Sequence, residues 1–172
     1  MSQIKLPAGA GKEEVFKKVA EYLSAAGFII AKTDESRPWG GFFVLEETQI
    51  KKFKATYFDD VELSDDQMKQ KLSPKFLLVA PGARLSWQYH FRRAELWKLI
   101  SGESGIVRSD TDEQSDLAYM KIGETVSLEK GERHRLVGLG NWGIVAEIWM
   151  HSDPFNPSDE EDIVRLADDY DR

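Results

Sequence analysis

The sequence predicts an all-β sandwich or barrel with helices at its periphery. Residues 76–150 consist of short apolar runs separated by Pro-Gly, Ser-Gly, Asp-rich and Gly-rich segments. Many short strands joined by turns at such spacing are typical of sandwiches and barrels. The chain has 172 residues, which is enough for one domain with a well-buried core and too few for two full domains.

An amphipathic helix is predicted before this β-rich region, over residues 11–26. Its apolar residues recur at helical spacing, and Gly27 follows as a stop signal. We expect the stripe formed by Val15, Val19 and Leu23 to pack on the outside of the barrel. Residues 1–36 are accordingly interpreted as an N-terminal helical extension.

Two capping-box patterns predict further helices. Ser64 is followed three residues later by Gln67, which indicates a short helix near residues 64–72. Ser158 and Glu161 repeat the pattern near the C-terminus, where a closing helix is therefore expected. Together with the N-terminal helix, these would surround the β-structure.

Composition restricts the partners and the metal chemistry. The chain has 30 acidic and 23 basic residues and a net charge of -7, which argues against general affinity for nucleic acid or anionic membranes. An anionic substrate would need a local basic pocket. There is no cysteine, so any metal must be held by nitrogen and oxygen ligands. No long apolar run or signal peptide is found, and we expect a cytoplasmic protein.

Residues 85–97, LSWQYHFRRAELW, contain the most informative polar pattern. Strand alternation places Ser86, Gln88 and His90 on one face. Glu95 has the opposite parity to His90, so the segment between them must turn. We expect the following run to return as the partner strand of a hairpin, which would bring Glu95 close to His90.

A later histidine, His134 in GERHRLVG, completes a candidate metal site. Gln88, His90, Glu95 and His134 offer one amide oxygen, two imidazoles and one carboxylate. This set suits a divalent ion such as zinc and suits calcium or magnesium poorly.

The same segments carry a family resemblance. PGARLSWQYHFRRAELWKLISG, followed by GETVSLEKGERHRL, resembles the two motifs of the cupins, and specifically the cupin domain of type II mannose-6-phosphate isomerases. RPWGGFFVL and EDIVRLADDYDR also match that family. In its sugar-phosphate isomerases, a Gln-x-His pair, a following Glu and a later His bind the metal. The resemblance thus implies the same four ligands, Gln88, His90, Glu95 and His134.

The resemblance also implies the architecture. We expect a cupin barrel, a jelly-roll-like double-stranded β-helix, over residues 37–172, with an insertion at about 46–75 and a C-terminal helix. A homodimer is expected because cupins commonly pair through strand exchange or sheet packing. The nucleotidyltransferase domain that many members carry has no counterpart in this sequence, so guanylyl transfer is not expected.

The implied activity is metal-dependent interconversion of an aldose phosphate and a ketose phosphate, with mannose-6-phosphate to fructose-6-phosphate as the leading example and zinc as the expected ion. The reaction needs a base to move a proton between adjacent carbons. Glu147 matches a glutamate of the family's late strand, and Asp162 is the second choice. Phosphate binding is expected from the basic residues beside the two motifs, which are Arg92, Arg93, Lys98, Arg133 and Arg135.

Two alternatives stay open at this point. Phe91, Arg92 and Leu96 stand where the family motif has additional histidines. Their presence favours a metal-holding cupin that binds a sugar or sugar phosphate without turning it over. A redox-iron cupin oxygenase is a third interpretation, but such sites generally rely on three imidazoles and this one would have two.

Overall fold

A computed structural model describes residues 3–172 of the protein. Within these residues the strands are β1 (Ile30–Asp34), β2 (Gly40–Leu45), β3 (Lys75–Val79), β4 (Trp87–Tyr89), β5 (Arg93–Ser109), β6 (Ala118–Tyr119), β7 (Thr125–Leu128), β8 (Arg133–His151) and β9 (Val164–Ala167). The helices are α1 (Lys12–Ala25), α2 (Ile50–Tyr57) and α3 (Asp65–Met68), with a 3-10 turn at Glu47–Gln49 before α2. The predicted all-β architecture with peripheral helices is confirmed.

The long strands β5 and β8 organise the barrel. They pair antiparallel from Arg93 opposite His151 to Ser109 opposite Arg133, with irregular register near their middle. One half of this pair continues into β3, β2 and β1 on one side and β7 on the other. The other half is flanked by β4 and β9 on one side and by β6 on the other. Strands β5 and β8 are therefore common to both groups of neighbouring strands in one nine-stranded sheet.

A glycine lies where the register of the β5–β8 pair is irregular. Gly102 has φ 75°, and a Cβ built there would lie 1.7 Å from the carbonyl oxygen of Trp142 on the paired strand. A side chain at this position would clash with backbone, so the close approach requires glycine.

Two apolar clusters stabilise the fold. The interior cluster fills the barrel and consists of Trp39, Phe42, Leu77, Val79, Leu85, Trp97, Leu99, Ile106, Met120, Leu128, Leu136 and Val145. The helix-side cluster joins the outer face of β2, β3 and β8 to α1 and α2, and its members include Phe16, Leu23, Phe43, Phe53, Phe76 and Ile148. Because β3 lies between the two clusters, all five of its residues are buried.

The first two helices pack on the barrel through apolar stripes. The prediction for residues 11–26 is confirmed by α1, whose Val15, Val19 and Leu23 are fully buried. Helix α2 was not predicted, although Ile50, Phe53 and Tyr57 recur at helical spacing and are all buried. No helix among residues 3–172 combines the length and the apolar character that a membrane span requires.

The capping box of α3 forms as predicted. Gln67 donates its backbone N–H to the hydroxyl of Ser64, and its side-chain oxygen accepts from the backbone N–H of Ser64. Reciprocal bonds of this kind satisfy donors that the first helical turn leaves unpaired.

The predicted C-terminal helix is wrong, because that segment forms β9. The hydroxyl of Ser158 donates to Asp162 at 2.6 Å instead of capping a helix. Asp162 in turn accepts the backbone N–H groups of Phe91 and Arg92. Strand β9 then pairs with the otherwise open edge of β4. Tertiary hydrogen bonds and edge pairing therefore outweigh the local helix signal.

The predicted hairpin between the strand of Gln88 and the strand of Glu95 is also wrong. Strand β4 pairs with β8 and β9, whereas β5 pairs with β6, β7 and β8. Strand β8 therefore lies between β4 and β5 where His134 is paired with both. Glu95 approaches His90 across the barrel interior and not along a shared ladder.

We expect Leu23→Ala to lower the free energy of unfolding by about 2–5 kcal/mol, because it opens a cavity between α1 and the barrel. Urea denaturation measures this change. Glu21→Ala, on the exposed face of the same helix, should change stability by no more than about 0.5 kcal/mol. Equal effects of the two substitutions would show that α1 does not contribute to the core.

Candidate metal and substrate site

Alternate residues of three neighbouring strands project into the barrel. Glu147 on β8 lies opposite Lys75 on β3 and opposite Trp97 on β5. Two residues further along β8, Trp149 lies opposite Glu95 on β5. Directly opposed residues of antiparallel strands share a face of the sheet. Trp97 belongs to the interior cluster, so all five side chains face the inside of the barrel.

Three buried side chains converge in this interior. One ligand atom from each of His90, Glu95 and His134 lies within 4.8 Å of the other two. His90 Nε2 is 3.1 Å from Glu95 Oε1, and His134 Nε2 is 3.4 Å from Glu95 Oε2. Gln88 lies directly opposite His134 in the β4–β8 pairing, so the two residues share this face.

Backbone carbonyls orient both imidazoles. His90 Nδ1 lies 2.7 Å from the carbonyl oxygen of Asp162, and His134 Nδ1 lies 2.8 Å from that of Glu132. A carbonyl can only accept, so each Nδ1 carries a proton and donates it. The Nε2 atom of each ring faces Glu95, so it is the ring nitrogen that would bind a metal ion, as in metal-binding histidines whose other nitrogen donates a hydrogen bond.

The donor set fits a divalent cation. His134 Nε2 and Glu95 Oε2 are buried without a hydrogen-bond partner in the described structure, and buried polar atoms are rarely left unpaired. Gln88 Oε1 accepts from the hydroxyl of Ser86 at 2.5 Å, while Gln88 Nε2 is 3.5 Å from His90 Nε2. Rotating this amide by half a turn would direct its oxygen to the imidazoles and let its nitrogen donate to Ser86.

Glu95 is ionised within this cluster. Burial alone would raise its pKa, but the charges of His90 and Arg93 hold the pKa well below the usual range. Arg93 donates from Nε to Glu95 Oε1 at 2.8 Å. Its Nη1 donates to the hydroxyl of Ser158 and the carbonyl of Asp159, and its Nη2 lies 3.3 Å from His90 Nε2. One carboxylate oxygen therefore has a cationic partner, while the other faces His134.

Glu147 lies beside the cluster, and its pKa is shifted in the opposite direction to that of Glu95. Its two oxygens accept from the indole N–H groups of Trp97 at 2.8 Å and Trp149 at 3.0 Å. Burial raises the pKa of Glu147 to about 7, and the negative charge of Glu95 acts in the same direction. Lys75 and Arg93 oppose this shift with their positive charges. A carboxyl that titrates near neutrality can take up and release a proton at physiological pH.

A cleft of about 160 Å³ leads to these groups. Its basic lining residues are Arg37, Lys75, Arg93, Arg165 and Arg172, and its acidic ones are Glu95, Glu147 and Glu160. Its apolar wall includes Trp39, Phe42, Leu77, Leu85, Trp97, Trp149 and Ile163. The cleft is therefore more basic than acidic in a chain with net charge -7, as an anionic ligand requires.

Lys98, expected to bind phosphate, lies away from the cleft. It is three residues from Glu95 on β5, so the strand pleat directs it to the opposite face. Its Nζ donates to Asp60 at 2.7 Å outside the barrel.

The pleat also separates Arg133 and Arg135 from the cleft, because both flank His134 on β8. Arg133 pairs with Asp112 at 2.7 Å, and Arg135 donates to the carbonyl of Leu85 at 2.9 Å.

Arg92 turns outwards as well. It donates to the side chain of Asn156 at 2.9 Å and to the carbonyl of Pro157 at 2.8 Å. Of the five basic residues expected to bind phosphate, the cleft is lined by Arg93 alone.

Asp162, the second choice for a base, has a positioning role in the structure. Its carboxylate accepts from the backbone N–H groups of Phe91 and Arg92 and from the hydroxyl of Ser158. Its carbonyl orients His90. These bonds leave Asp162 buried and engaged, outside the residues that line the cleft.

Sequence reasoning missed four basic residues of the cleft, Arg37, Lys75, Arg165 and Arg172. The signal for Lys75 is its place at the head of the apolar run KFLLV, where alternation predicts that it shares a face with Leu77 and Val79. The position of Arg165 depends on the pairing of β9 with β4, which no local pattern indicates.

Comparison with known sequences identifies one family and two relatives. The family model described as "Mannose-6-phosphate isomerase C-terminal" matches residues 60–168. Two proteins named "Xanthan biosynthesis protein XanB", from strains B100 and ATCC 33913 of Xanthomonas campestris pv. campestris, are 30% and 29% identical over 158 residues. These matches cover 91% of this chain and 28% of each relative. The chain thus spans little more than a quarter of their length.

Comparison with solved structures supports the same fold. CapF from Staphylococcus aureus, a capsular polysaccharide assembling protein, gives a TM-score of 0.52 at 15% identity, covering 90% of this chain and 37% of CapF. A mutant of Bacillus subtilis oxalate decarboxylase OxdC gives 0.56 at 13% identity, covering 78% and 30%. These likenesses confirm the predicted cupin barrel and carry no statement about activity.

We expect Asp162→Ala to weaken Zn²⁺ binding by about 10–100-fold, because the lost carboxylate bonds to Phe91, Arg92 and Ser158 hold in place the Asp162 carbonyl that orients His90. Competition against a chromophoric chelator measures the affinity. Glu161→Ala, an exposed neighbour in the same segment, serves as the control and should bind Zn²⁺ as the wild type does. Wild-type affinity in Asp162→Ala would contradict the positioning role.

Proposed function

Because the chain belongs to the mannose-6-phosphate isomerase C-terminal family, we propose that it is a metal-dependent aldose–ketose isomerase of a sugar phosphate. Conversion of mannose-6-phosphate to fructose-6-phosphate is the leading example. The observation that carries this proposal is a buried cluster of two imidazoles and a carboxylate beside a second carboxyl, Glu147, whose pKa is about 7. One group of residues suits a cation, and the other suits proton transfer.

Gln88, His90, Glu95 and His134 would hold the ion, with zinc as the proposed metal. When bound, a divalent ion supplies Lewis-acid stabilisation of negative charge that develops on substrate oxygens. The protein contributes fixed ligand orientation through the two imidazole–carbonyl hydrogen bonds. Gln88 and Glu95 line the cleft, so substrate would approach the cluster from that side.

Glu147 is the proposed base. Isomerisation removes a proton from one carbon and returns it to its neighbour, so the same carboxyl must accept and then release it. The indole N–H groups of Trp97 and Trp149 fix the orientation of Glu147 in the cleft. Arg93, whose guanidinium lies 3.7 Å from the centre of the Trp149 ring, is the only residue of the predicted phosphate-binding set that lines the cleft.

The replaced family histidines do not remove the ligand set. Phe91 is 61% exposed, and Arg92 donates to Asn156 outside the cleft. Leu96 follows Glu95 on β5 and lies in the helix-side cluster on the other face. All three positions point away from the proposed ligands, so these substitutions are compatible with the isomerase proposal.

One observation favours a second candidate, a binding module that holds the sugar phosphate without turnover. Both oxygens of Glu147 already accept hydrogen bonds from indole groups. A carboxyl with only this role would anchor the two tryptophans and would move no proton. Exchange of the substrate's C2 proton with solvent separates the candidates, because only the isomerase breaks that C–H bond.

For the isomerase, Glu147→Gln should reduce the rate of C2-proton exchange in deuterated solvent by about 10²-fold or more, since the amide cannot accept the proton. NMR follows the exchange in mannose-6-phosphate with Zn²⁺ present. Affinity for Zn²⁺ and for the sugar phosphate should stay within a few-fold of wild type. Glu124→Gln, the same change at an exposed site, should leave the rate unaltered.

Two outcomes would revise the proposal. Absence of exchange in the Zn²⁺-loaded wild type, with several sugar phosphates tested, would replace the isomerase with the binding module. Exchange that persists at the wild-type rate in Glu147→Gln would keep the reaction class and remove Glu147 as the base.

The pH dependence of the exchange reports the ionisation of Glu147. The base acts only when deprotonated, so kcat/KM should rise with pH and reach half of its maximum no higher than about pH 7. The negative charge of Glu95 helps to raise the pKa of Glu147. A cation bound at Glu95 would offset this charge, so the midpoint of the pH profile would lie at lower pH. Stopped assays across the pH range measure the profile. A rate that falls through this region as pH rises would contradict a carboxylate base.

A further inference from the structure

Strand β9 places on the wall of the cleft an arginine that forms no hydrogen bond or ion pair within the described residues. Arg165 lies directly opposite Gln88 in the β4–β9 pairing, and residues opposed in this way project from the same face. Both residues line the cleft. Within residues 3–172 the Arg165 side chain forms no hydrogen bond or ion pair, so all its donors are available to a ligand.

Two more guanidinium groups line the same cleft. Arg37 donates to Asp34 at 3.1 Å, and Arg172 donates to Asp168 at 2.8 Å. The pKa of Arg165 is lowered by partial loss of its surrounding water and by the positive charges of Arg172 and Arg37, while the negative charge of Asp168 opposes this shift. Like charges held close together repel one another. An anion bound among the three arginines would attract each of them and so offset this repulsion.

We propose that Arg165, with Arg37 and Arg172, binds the phosphate of the substrate and thereby sets a preference for phosphorylated over neutral sugars. The guanidinium group suits phosphate because it offers paired donors in a fixed plane. This inference rests on the proposed function in assuming that a sugar phosphate is the ligand of the cleft.

The other basic groups of the cleft are already engaged. Arg93 directs its donors to Glu95, Ser158 and Asp159. Lys75 donates to Glu160 at 2.7 Å and lies 3.7 Å from the centre of the Trp149 ring. Binding a phosphate through either residue would cost these contacts, whereas Arg165 loses none.

The inference is tested by isothermal titration of Zn²⁺-loaded protein with mannose-6-phosphate and with mannose. Wild type should prefer the phosphorylated sugar. Arg165→Gln should weaken binding of mannose-6-phosphate by about 10–100-fold, the range for a lost hydrogen bond to a charged group. Its affinity for mannose should change by no more than about threefold, because mannose carries no phosphate. Arg165→Lys, which keeps the charge without the paired donors, should fall between these limits.

Arg84→Gln is the matched control. It removes the same charge from an arginine that pairs with Asp169 in the C-terminal segment and lies outside the cleft lining. It should bind mannose-6-phosphate as wild type does. Thermal unfolding and Zn²⁺ affinity of all variants establish that each retains the fold and the metal site.

The results separate this inference from the isomerase proposal. Loss of the preference for mannose-6-phosphate in Arg165→Gln, but not in Arg84→Gln, supports the phosphate role even if no C2-proton exchange is found. The role is overturned if wild type binds the two sugars equally, or if Arg165→Gln retains wild-type affinity for mannose-6-phosphate.

Discussion

The buried charge of Glu95 is the constraint on which the rest of the site depends. Its side chain is almost inaccessible to water, and an ionised carboxylate in such surroundings requires a cationic partner. Arg93 satisfies Oε1, whereas Oε2 and the facing Nε2 of His134 have no hydrogen-bond partner among residues 3–172. The same negative charge helps to raise the pKa of Glu147. The proposed metal site and the proposed base are therefore one electrostatic unit, in which binding a cation alters the acidity of the neighbouring carboxyl.

The barrel assembles this unit from distant parts of the chain. The two halves of β8 contribute His134 and Glu147, and β5 pairs with β8 along its full length. The C-terminal segment adds β9 to the sheet by pairing with β4. It orients His90 through the carbonyl of Asp162 and carries Arg165 to the cleft. A segment that resembles a peripheral helix in the sequence thus supports both the proposed metal site and the proposed phosphate site.

Local patterns predicted what depends on local structure. The helical stripe of α1 and the capping box of α3 are confirmed, and strand alternation already implied that Lys98 and Glu95 project from opposite faces. Motif spacing selected His90, Glu95 and His134, which the structure brings together, although metal binding itself stays a prediction. The β4–β9 pairing depends on contacts between residues far apart in the chain, so neither the missing C-terminal helix nor the place of Arg165 could be read from spacing.

Titration with Co²⁺ tests most directly whether the buried cluster is a metal site, because the ion substitutes for zinc at nitrogen and oxygen ligands and has a visible spectrum that reports its coordination. Wild type should bind one equivalent and develop ligand-field bands. Glu95→Gln should bind at least about 100-fold more weakly, since the change removes the charged ligand. Lys98→Gln, on the opposite face of β5, should titrate as wild type. Failure of wild type to bind the ion, or unchanged binding in Glu95→Gln, would contradict the account.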